Sequence, residues 1–355
     1  MLAAQTNSLR YFARNMPEEL IETTETPANI RVNVCPVCDR LADELFNLSS
    51  VPEKLALIIK PNAATPNPDQ VCSRCVELFT RALRQIESQS SIFEQNDSVL
   101  PTPLRMDADE RFTGRDVTIA FLDSGFYAHP DLTQPANRIR AYHSIFSTDG
   151  DQTSLMTNDV ASWHGMMTSV VAAGNGALAN GFYRGIASDA NVVLVKIGRT
   201  GRISEAQIQK GLEWVLEHAK EFKIRVVNIS AGGDFEESYL TNSLSQTVER
   251  CARAGLTVVC AVGNAGHMPG HPVLPPASAP SCIAVGGLDD QNSLDRARRG
   301  MYRSSYGPTI DGLQKPEVIA PGIWVAAPIL PRTPTAEEAE LYSDLHALPD
   351  DELRA

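Results

Sequence analysis

Three side chains of the types that cooperate in acyl transfer stand close to glycines in this 355-residue chain: Asp123, His164 and Asn264. Asp123 directly follows residues 117–122, an apolar run rich in β-branched residues that is typical of a strand buried on both faces. A carboxylate can fix the tautomer of an imidazole base, and a side-chain amide can donate a hydrogen bond to an oxyanion. The three residues therefore predict an acyl-transfer site that still requires a nucleophile.

Each of these residues also has a simpler interpretation. An aspartate after a strand often only caps a turn, and Gly-Asn-Ala-Gly at residues 263–266 is compatible with a turn that needs a positive φ. His164 is one of seven histidines, and His129 lies as close to a glycine turn as His164 does. Composition does not decide between these two histidines, so the choice of the base depends on the wider pattern.

The chain between residues 117 and 285 alternates apolar, strand-like runs with helical patterns. Strands are predicted at residues 117–122, 191–197, 225–230, 256–262 and 282–285, and helices at residues 165–173, 204–222 and 240–254. This alternation predicts an α/β fold, a three-layer doubly wound mostly parallel sheet with helices on both faces. In such sheets the working polar groups lie at the carboxyl ends of strands, where Asp123, Ser230 and Asn264 fall.

The segment Ser230-Ala231-Gly232 leaves its predicted strand with small side chains only. A backbone edge without bulky side chains can pair with an extended peptide, which then adds to the sheet as a further strand. We therefore interpret Ser230, Ala231 and Gly232 as a substrate-binding segment, and we expect a peptide or a protein as the binding partner.

Four of the seven cysteines form two CxxC pairs, Cys35 with Cys38 and Cys72 with Cys75. Two such pairs can complete a tetrahedron of thiolates, which suits a structural Zn²⁺ because it leaves no position for water. The 33 residues between the pairs exceed the spacing of a zinc ribbon, and a redox-active CxxC or four unconnected cysteines are the alternatives. We favour a structural Zn²⁺ bound by all four thiolates.

Prolines and small polar residues at positions 96–105 mark a linker between two units. We expect an N-terminal four-cysteine, zinc-binding-like module in residues 1–100, with an amphipathic helix within residues 71–93, and a catalytic domain in residues 105–355. The cluster Asp149-Gly-Asp151 is compatible with a Ca²⁺ ligand set and equally with a solvated loop, so a Ca²⁺ site is possible but not evident.

The formal net charge of −12 argues against nucleic acid as a partner, because phosphate binding needs a basic face. No apolar run is long enough to cross a bilayer, so no membrane partner is predicted. The N-terminus lacks a basic region followed by an apolar core and does not resemble a secretory signal. A cytoplasmic location is therefore predicted.

Six blocks between about residue 117 and residue 327 together resemble the subtilisin-like serine proteases, or subtilases. In chain order they are Asp123-Ser-Gly with His-Pro-Asp-Leu downstream, His164-Gly, Tyr183-Arg-Gly-Ile-Ala, Asn228-Ile-Ser-Ala-Gly-Gly, Val262-Gly-Asn and Lys315-Pro-Glu-Val-Ile-Ala-Pro-Gly. The resemblance implies a subtilisin-like fold and a serine endopeptidase. It assigns Asp123 and His164 to the catalytic triad, Asn264 to the oxyanion hole and residues 230–232 to substrate binding.

The sequence departs from the family pattern in two places. The family's His-Gly-Thr-His-Val-Ala is His164-Gly-Met-Met-Thr-Ser here, so polar residues that follow the base are lost. The Gly-Thr-Ser that carries the nucleophile after Ala-Pro-Gly does not occur, because Ala320-Pro-Gly leads into a tail in which residues 333–355 hold seven acidic side chains and one arginine. Ser304-Ser305 precedes Ala-Pro-Gly and resembles a non-catalytic turn of the family.

Loss of the serine from subtilisin lowers turnover by a factor on the order of 10⁶, so this sequence alone is expected to be nearly inert as a peptidase. We expect the serine in a missing C-terminal segment, because the resemblance places its helix over the middle of the sheet and its loss would expose an apolar strip. The alternative is an inactive pseudoprotease that binds peptides. A nucleotide site at Gly174-Asn-Gly176 is disfavoured, because these glycines follow a predicted helix rather than a strand.

Overall fold

The computed structural model describes residues 33–38, 40–59, 61, 65, 67–88, 99–147, 152–199, 202–346, 348–349 and 353. The Asp149-Gly-Asp151 cluster lies outside the described residues, as do residues 1–32 and parts of the predicted linker and of the acidic tail. Within the described residues, no helix has the length and apolar character needed to cross a membrane.

The N-terminal unit consists of two short antiparallel strand pairs and two helices. Its strands are β1 (Asn33–Val34), β2 (Leu41–Ala42), β3 (Leu45–Asn47) and β4 (Gln70–Cys72), with β1 paired to β2 and β3 paired to β4. A 3-10 turn (Leu48–Ser50) leads to α1 (Glu53–Ile58), and α2 (Ser73–Ser88) begins directly after β4. Helix α2 lies within the helix predicted for residues 71–93, and residues 89–93 lie outside the described range.

The larger unit contains an eight-stranded sheet and one separate strand pair. The strands are β5 (Thr118–Asp123), β6 (Ile139–Ser144), β7 (Asn191–Lys196), β8 (Ile224–Ile229), β9 (Thr257–Ala261), β10 (Cys282–Asp289), β11 (Gly300–Met301), the separate pair β12 (Gly307–Pro308) and β13 (Gln314–Lys315), and β14 (Val318–Pro321). The strand order is β11-β10-β9-β8-β5-β7-β6, and β14 pairs with β10. Only β11 runs antiparallel to its neighbour, so the prediction of a mostly parallel sheet is confirmed.

Helices cover both faces of this sheet. The helices are α3 (Thr102–Arg105), α4 (Pro130–Thr133), α5 (Trp163–Ala173), α6 (Glu205–His218), α7 (Ser243–Arg253) and α8 (Pro334–His346), with 3-10 turns at Gln152–Met156, Val160–Ser162, Ala177–Ala179 and Arg296–Arg298. On one face, α6 and α7 bury apolar side chains such as Leu212 and Val248 against the strands. On the other face, α5 contributes Met166 and Val170. The α/β fold with helices on both faces is thus confirmed.

One region of the second face is covered by none of the described residues. In β9 and β10 buried side chains alternate with half-buried or exposed ones, which is the pattern of a sheet with one free face. Apolar side chains line this region, which we call the open face: Val226, Val259, Ile283, Val285 and Val318. Ile283 keeps 37% and Val318 keeps 48% of its surface exposed. The strand expected at residues 256–262 is therefore buried on one side only.

Strand β6 was not anticipated from the sequence. Arg140 and His143 interrupt its apolar pattern, so a run of buried residues is not visible. The strand lies at the edge of the sheet, where polar side chains are tolerated because they can reach solvent. The predicted helix at residues 204–222 also ends earlier than expected, at His218, and the remaining four residues form turns.

The cysteine-containing unit packs against the larger unit through α2. Arg74 and Arg81, two turns apart on α2, both approach the carboxylate of Asp107, at 2.6 and 3.4 Å. Leu294 packs against the apolar cluster around the four cysteines and also against the cluster that contains Leu104. Because α2 begins at the second cysteine pair, these contacts connect the cysteine cluster directly to the larger unit.

A buried ion pair anchors the start of the larger unit. The side chains of Arg105 and Asp290 form this pair, and neither has any exposed surface. The guanidinium of Arg105 also donates to the carbonyl oxygens of Leu100, at 3.0 Å, and Trp324. Asp290 follows β10 and Trp324 follows β14, so a single cation connects the N-terminal part of the larger unit to the ends of two paired strands.

Replacing Asp290 by Asn tests how much this ion pair contributes to the free energy of unfolding. The substitution leaves the Arg105 guanidinium buried without its counter-ion, so the free energy of unfolding should fall by about 3–5 kcal/mol. The matched control is Glu110→Gln, which removes a carboxylate that faces Arg184 at the surface and should cost less than about 1 kcal/mol. Urea unfolding of both variants measures the difference. Equal losses in the two variants would contradict a special role for the buried pair.

Candidate active site and cysteine cluster

Asp123 is the last residue of β5, and its side chain is almost completely buried. Its carboxylate accepts a hydrogen bond from the backbone amide of Ser124, at 2.7 Å, and contacts the Ser124 hydroxyl at 3.3 Å. The hydroxyl of Thr168, on α5, lies 3.3 Å from the other carboxylate oxygen. These donors hold the carboxylate in one orientation at the carboxyl edge of the sheet.

His164, the second residue of α5, faces this carboxylate directly. Its Nδ1 lies 2.9 Å from both Oδ1 and Oδ2 of Asp123. Because a carboxylate accepts hydrogen bonds, the proton belongs on Nδ1, and Nε2 is left as the basic nitrogen. Nε2 has no hydrogen-bond partner among the described residues, and about a third of the side chain is exposed. Nε2 is therefore available to accept a proton.

The environment of His164 favours its charged form. The hydrogen bond to Asp123 is the largest influence and raises the pKa of His164 above its usual value. Partial burial acts in the opposite direction, and the negative charge of Asp123 adds to the increase. A base whose protonated form is stabilised in this way suits proton transfer near neutral pH.

Gly165 allows α5 to lie directly on the turn that follows β5. A Cβ atom at residue 165 would lie 2.0 Å from the carbonyl oxygen of Gly125 and 2.9 Å from Cβ of Asp123. The Ser124 hydroxyl donates to the carbonyl of Ala161, at 2.7 Å, and ties the same turn to the residues that precede α5. Any side chain at residue 165 would push His164 away from Asp123.

The structure distinguishes between the two histidines considered from the sequence. His129 caps α4, where its Nδ1 accepts a hydrogen bond from the backbone amide of Asp131 at 3.2 Å. Burial lowers the pKa of His129. The geometry therefore pairs Asp123 with His164, while His129 has a structural contact of its own.

Two polar groups at the carboxylate were not identified from the sequence. Ser124 and Thr168 both contact Asp123, although residues 166–169 are read from the sequence as a loss of polar support for the base. Thr168 lies one helical turn after His164, which is the spacing that puts two side chains on the same face of a helix. This spacing is the sequence feature from which the contact of Thr168 could have been predicted.

Asn264 lies at the same edge of the sheet, in the loop after β9. Strands β5, β8 and β9 are neighbours in the sheet and run parallel, so the residues that follow them lie at one edge of the sheet. Two strand spacings, about 10 Å, separate the ends of β5 and β9. Asn264 is exposed, and its side-chain amide has no hydrogen-bond partner in the described part of the chain. The sheet thus brings Asn264 to the edge that carries Asp123 without a direct contact.

The segment that follows β8 has a free backbone. The Ser230 hydroxyl accepts a hydrogen bond from the side chain of Asn228, at 3.1 Å. Among the described residues, no backbone hydrogen bond involves the amides of Ser230, Ala231 or Gly232. A Cβ atom at Gly232 would meet no atom within 4 Å, so there is open space beside the segment. An extended peptide could pair with this edge.

The four cysteines of the two CxxC pairs lie together in the N-terminal unit. Their sulfur atoms are all within 4.8 Å of one another, and all four residues are buried. The distance is 3.9 Å between the Sγ atoms of Cys35 and Cys75 and 3.8 Å between those of Cys38 and Cys72. A tetrahedron with metal–sulfur bonds of about 2.3 Å has edges of about 3.8 Å. The cluster could therefore hold one metal ion.

The local structure explains why these cysteines converge. Cys35 and Cys38 lie in the turn between β1 and β2, Cys72 ends β4, and Cys75 lies in the first turn of α2. The backbone amide of Cys72 lies 3.4 Å from Sγ of Cys35 and can stabilise a thiolate there. No disulfide joins the described cysteines. Hydrogen bonds from the thiols of Cys72 and Cys75 lower the pKa of Cys38, so one thiolate forms most readily there.

The fold and the Asp123–His164 pair define a class of α/β protein with a carboxylate hydrogen-bonded to an imidazole at the carboxyl edge of a parallel sheet. The profile of the family described as the subtilase family matches residues 114–346, which is more than half of the chain. The protein belongs to the subtilase family.

Individual relatives agree with this family. The chain is 32% identical to the serine protease AprX of Bacillus subtilis (strain 168) over 222 residues, which cover 60% of this chain and 48% of AprX. It is 30% identical to subtilisin BL of Lederbergia lenta over 213 residues, which cover 59% of this chain and 65% of that protein. The chain therefore spans about half the length of AprX.

A solved structure shares the fold. The S41 psychrophilic protease superimposes with a TM-score of 0.50 at 23% sequence identity, and the match covers 72% of this chain and 89% of that chain. At this identity the similarity describes the fold alone.

A histidine titration tests the contact between Asp123 and His164. Replacing Asp123 by Asn removes the hydrogen-bonded carboxylate that favours imidazolium, so the pKa of His164 should fall, and burial should then take it below the usual value. NMR titration measures the shift, with the His129 signal as an internal control that should keep its midpoint. In the parent protein the contact between Asp123 and protonated His164 stabilises the folded state. This stabilisation is complete when the pH is below the pKa of histidine in the unfolded chain, and it is lost as the pH rises through the raised pKa of His164. An unchanged His164 midpoint would contradict the contact.

Proposed function

We propose that this chain provides the base, its orienting acid and an oxyanion donor of a serine endopeptidase. The observation that carries the proposal is the contact between Asp123 and Nδ1 of His164, at 2.9 Å to both carboxylate oxygens, with Nε2 available. Membership of the subtilase family and the similarity to proteins named as serine proteases support it. The substrate class is a peptide or a protein.

The proposed reaction assigns one task to each group. Nε2 of His164 accepts the proton of a serine hydroxyl as its oxygen attacks the peptide carbonyl, and later returns this proton to the leaving amine. Asp123 holds the ring in the required tautomer and stabilises the imidazolium. The amide of Asn264 donates to the oxyanion that develops on the carbonyl oxygen. The substrate backbone pairs with residues 230–232.

We assign the nucleophile to a segment that follows the described residues and covers the open face. None of the described serine hydroxyls forms a hydrogen bond with His164. The open face consists of five apolar side chains on adjacent strands, and such a surface is stabilised when another element covers it. In this proposal the helix has its N-terminus at the carboxyl edge of the sheet, so that a serine in its first turn lies within reach of His164.

We propose that the four cysteines bind one structural Zn²⁺ in an N-terminal module that precedes the peptidase domain and packs against it. The sulfur–sulfur distances fit a tetrahedral ion, and four thiolates leave no coordination position for substrate. A cytoplasmic location fits this proposal, because a reducing compartment keeps thiolates available for metal binding.

The peptidase proposal predicts covalent labelling of a serine. We expect the protein translated from its complete reading frame to contain Gly-Thr-Ser after residue 355 and to react with a fluorophosphonate probe. His164→Ala should abolish labelling and turnover, and Asn264→Ala should lower turnover by roughly 10²–10³, the range measured for a side-chain oxyanion donor of subtilisin. His129→Ala is the matched control, and its turnover per folded molecule should equal that of the parent protein. Activity that survives His164→Ala but not His129→Ala would refute the assignment of the base.

A peptide-binding role without cleavage is the second candidate function. The free backbone of Ser230, Ala231 and Gly232 favours it, because this edge exists without a serine beside His164. If the complete reading frame holds no nucleophile, calorimetry should still detect binding of an extended peptide to the 355-residue chain. Absence of both a nucleophile and peptide binding would exclude the two candidates together.

The metal proposal predicts one Zn²⁺ per chain. Elemental analysis of the purified protein measures the ratio, and Cys35→Ser combined with Cys72→Ser should release the ion because each substitution removes a ligand from a different pair. Cys251→Ser is the control, since Cys251 is buried in the core of the larger unit and should leave the ratio unchanged. A parent protein without metal, when purified under reducing conditions, would refute the proposal.

A further inference from the structure

The loop that carries Asn264 is held by a neighbouring segment on both sides of the asparagine. The backbone amide of Ser305 donates to the carbonyl of Gly263, at 3.0 Å. The hydroxyl of Ser305 accepts a hydrogen bond from the backbone amide of Ala265, at 3.3 Å. One serine therefore binds the residue before and the residue after Asn264.

The contact between the loop and residues 303–305 is unusually close. The amide of Gly266 donates to the carbonyl of Arg303, at 3.1 Å, and a Cβ atom at residue 266 would lie 2.0 Å from the carbonyl oxygen of Ser304. Gly263 has a φ of +105°, and a Cβ there would lie 2.8 Å from the Ser305 hydroxyl oxygen. Only glycine fits at either position, so the backbones of the two segments lie against each other.

The segment that holds the loop is itself fixed to the sheet. The hydroxyl of Ser304 accepts a hydrogen bond from the amide of Gly287, in β10, at 2.7 Å. The amide of Tyr302 donates to the carbonyl of Gly287, at 3.1 Å. Ser305 is 2% exposed, so its hydroxyl acts within the protein and not toward solvent. A chain of contacts thus runs from β10 through Ser304 and Ser305 to the loop.

We propose that Ser305 is a positioning residue that orients the side chain of Asn264 for oxyanion binding. This inference depends on the proposed function of Asn264. Oxyanion donors act because they are already oriented when the charge develops, and a loop restrained only by its ends would lose this advantage. Asn264 has no side-chain partner among the described residues, so its direction depends on the backbone that Ser305 holds at residues 263 and 265. Ser305 contacts no reacting atom in this proposal.

Amide hydrogen exchange in the 355-residue chain tests the structural part. Ser305→Ala removes the acceptor of the Ala265 amide, so exchange at Ala265 should become roughly 5- to 10-fold faster. Ser304→Ala is the matched control, because its hydroxyl binds Gly287 and not the loop. It should accelerate exchange at Gly287 and leave Ala265 at the parental rate, because the backbone bond between Tyr302 and Gly287 still fixes the segment to the sheet. Leu122, in the centre of the sheet, reports any global loss of stability. An unchanged rate at Ala265 in Ser305→Ala would overturn the proposal.

Kinetics of the protein from the complete reading frame test the catalytic part. Ser305→Ala should lower kcat and leave KM close to the parental value, because substrate pairing does not involve the loop. Adding Ser305→Ala to Asn264→Ala should cost little more than Asn264→Ala alone, since the two residues act through one group. Full additivity of the two losses would overturn the proposal. If the parent has no activity while exchange at Ala265 responds as expected, the peptidase proposal fails and the restraint on the loop stands.

Discussion

The close approach of α5 to the turn after β5 is the constraint on which the rest of the site depends. Gly165 permits it, because a Cβ atom there would overlap the carbonyl oxygen of Gly125. The approach puts the imidazole of His164 on the carboxylate of Asp123, while Ser124 and Thr168 hold that carboxylate from other directions. Without this contact the remaining polar groups would be isolated side chains at the end of a sheet.

The sheet extends the site beyond this pair. Because β5, β8 and β9 are parallel neighbours, their carboxyl ends lie at one edge of the sheet, so an imidazole, an unpaired backbone segment and a side-chain amide occupy neighbouring positions. The same sheet leaves its open face uncovered by the described residues, although its opposite face is fully packed by α6 and α7. The open face lies next to the edge that carries Asp123 and His164, and an additional helix packed on it would bury its apolar side chains.

The N-terminal unit is connected to this architecture by specific polar contacts. Two arginines of α2, the helix that carries Cys75, form ion pairs with Asp107. Arg105, two residues before Asp107, forms a buried ion pair with Asp290. A metal held by the four cysteines would fix the start of α2 and hence the direction from which these arginines approach. The cysteine cluster and the end of β10 are therefore parts of one connected structure.

Much of the fold and of the candidate site could be predicted from the sequence, for identifiable reasons. Continuous apolar runs revealed β5, β7 and β8, and motif order suggested that Asp123 and His164 meet. Edge strand β6 was not predicted, because Arg140 and His143 interrupt its apolar pattern. The contact of Thr168 was not predicted, although its spacing from His164 puts both side chains on one face of α5. The contact of Ser305 was not predicted because its hydroxyl binds the amide of Ala265, 40 residues away in the chain. The roles of Asp123, His164 and Asn264 in catalysis stay predictions.

A crystal structure of the protein from its complete reading frame is the decisive experiment. We expect a helix over the open face, with a serine hydroxyl oxygen about 2.6–3.2 Å from Nε2 of His164. We also expect the pairing of His164 with Asp123 to be unchanged. A structure in which another element covers the open face and no hydroxyl lies within reach of Nε2 would refute the assignment of the nucleophile.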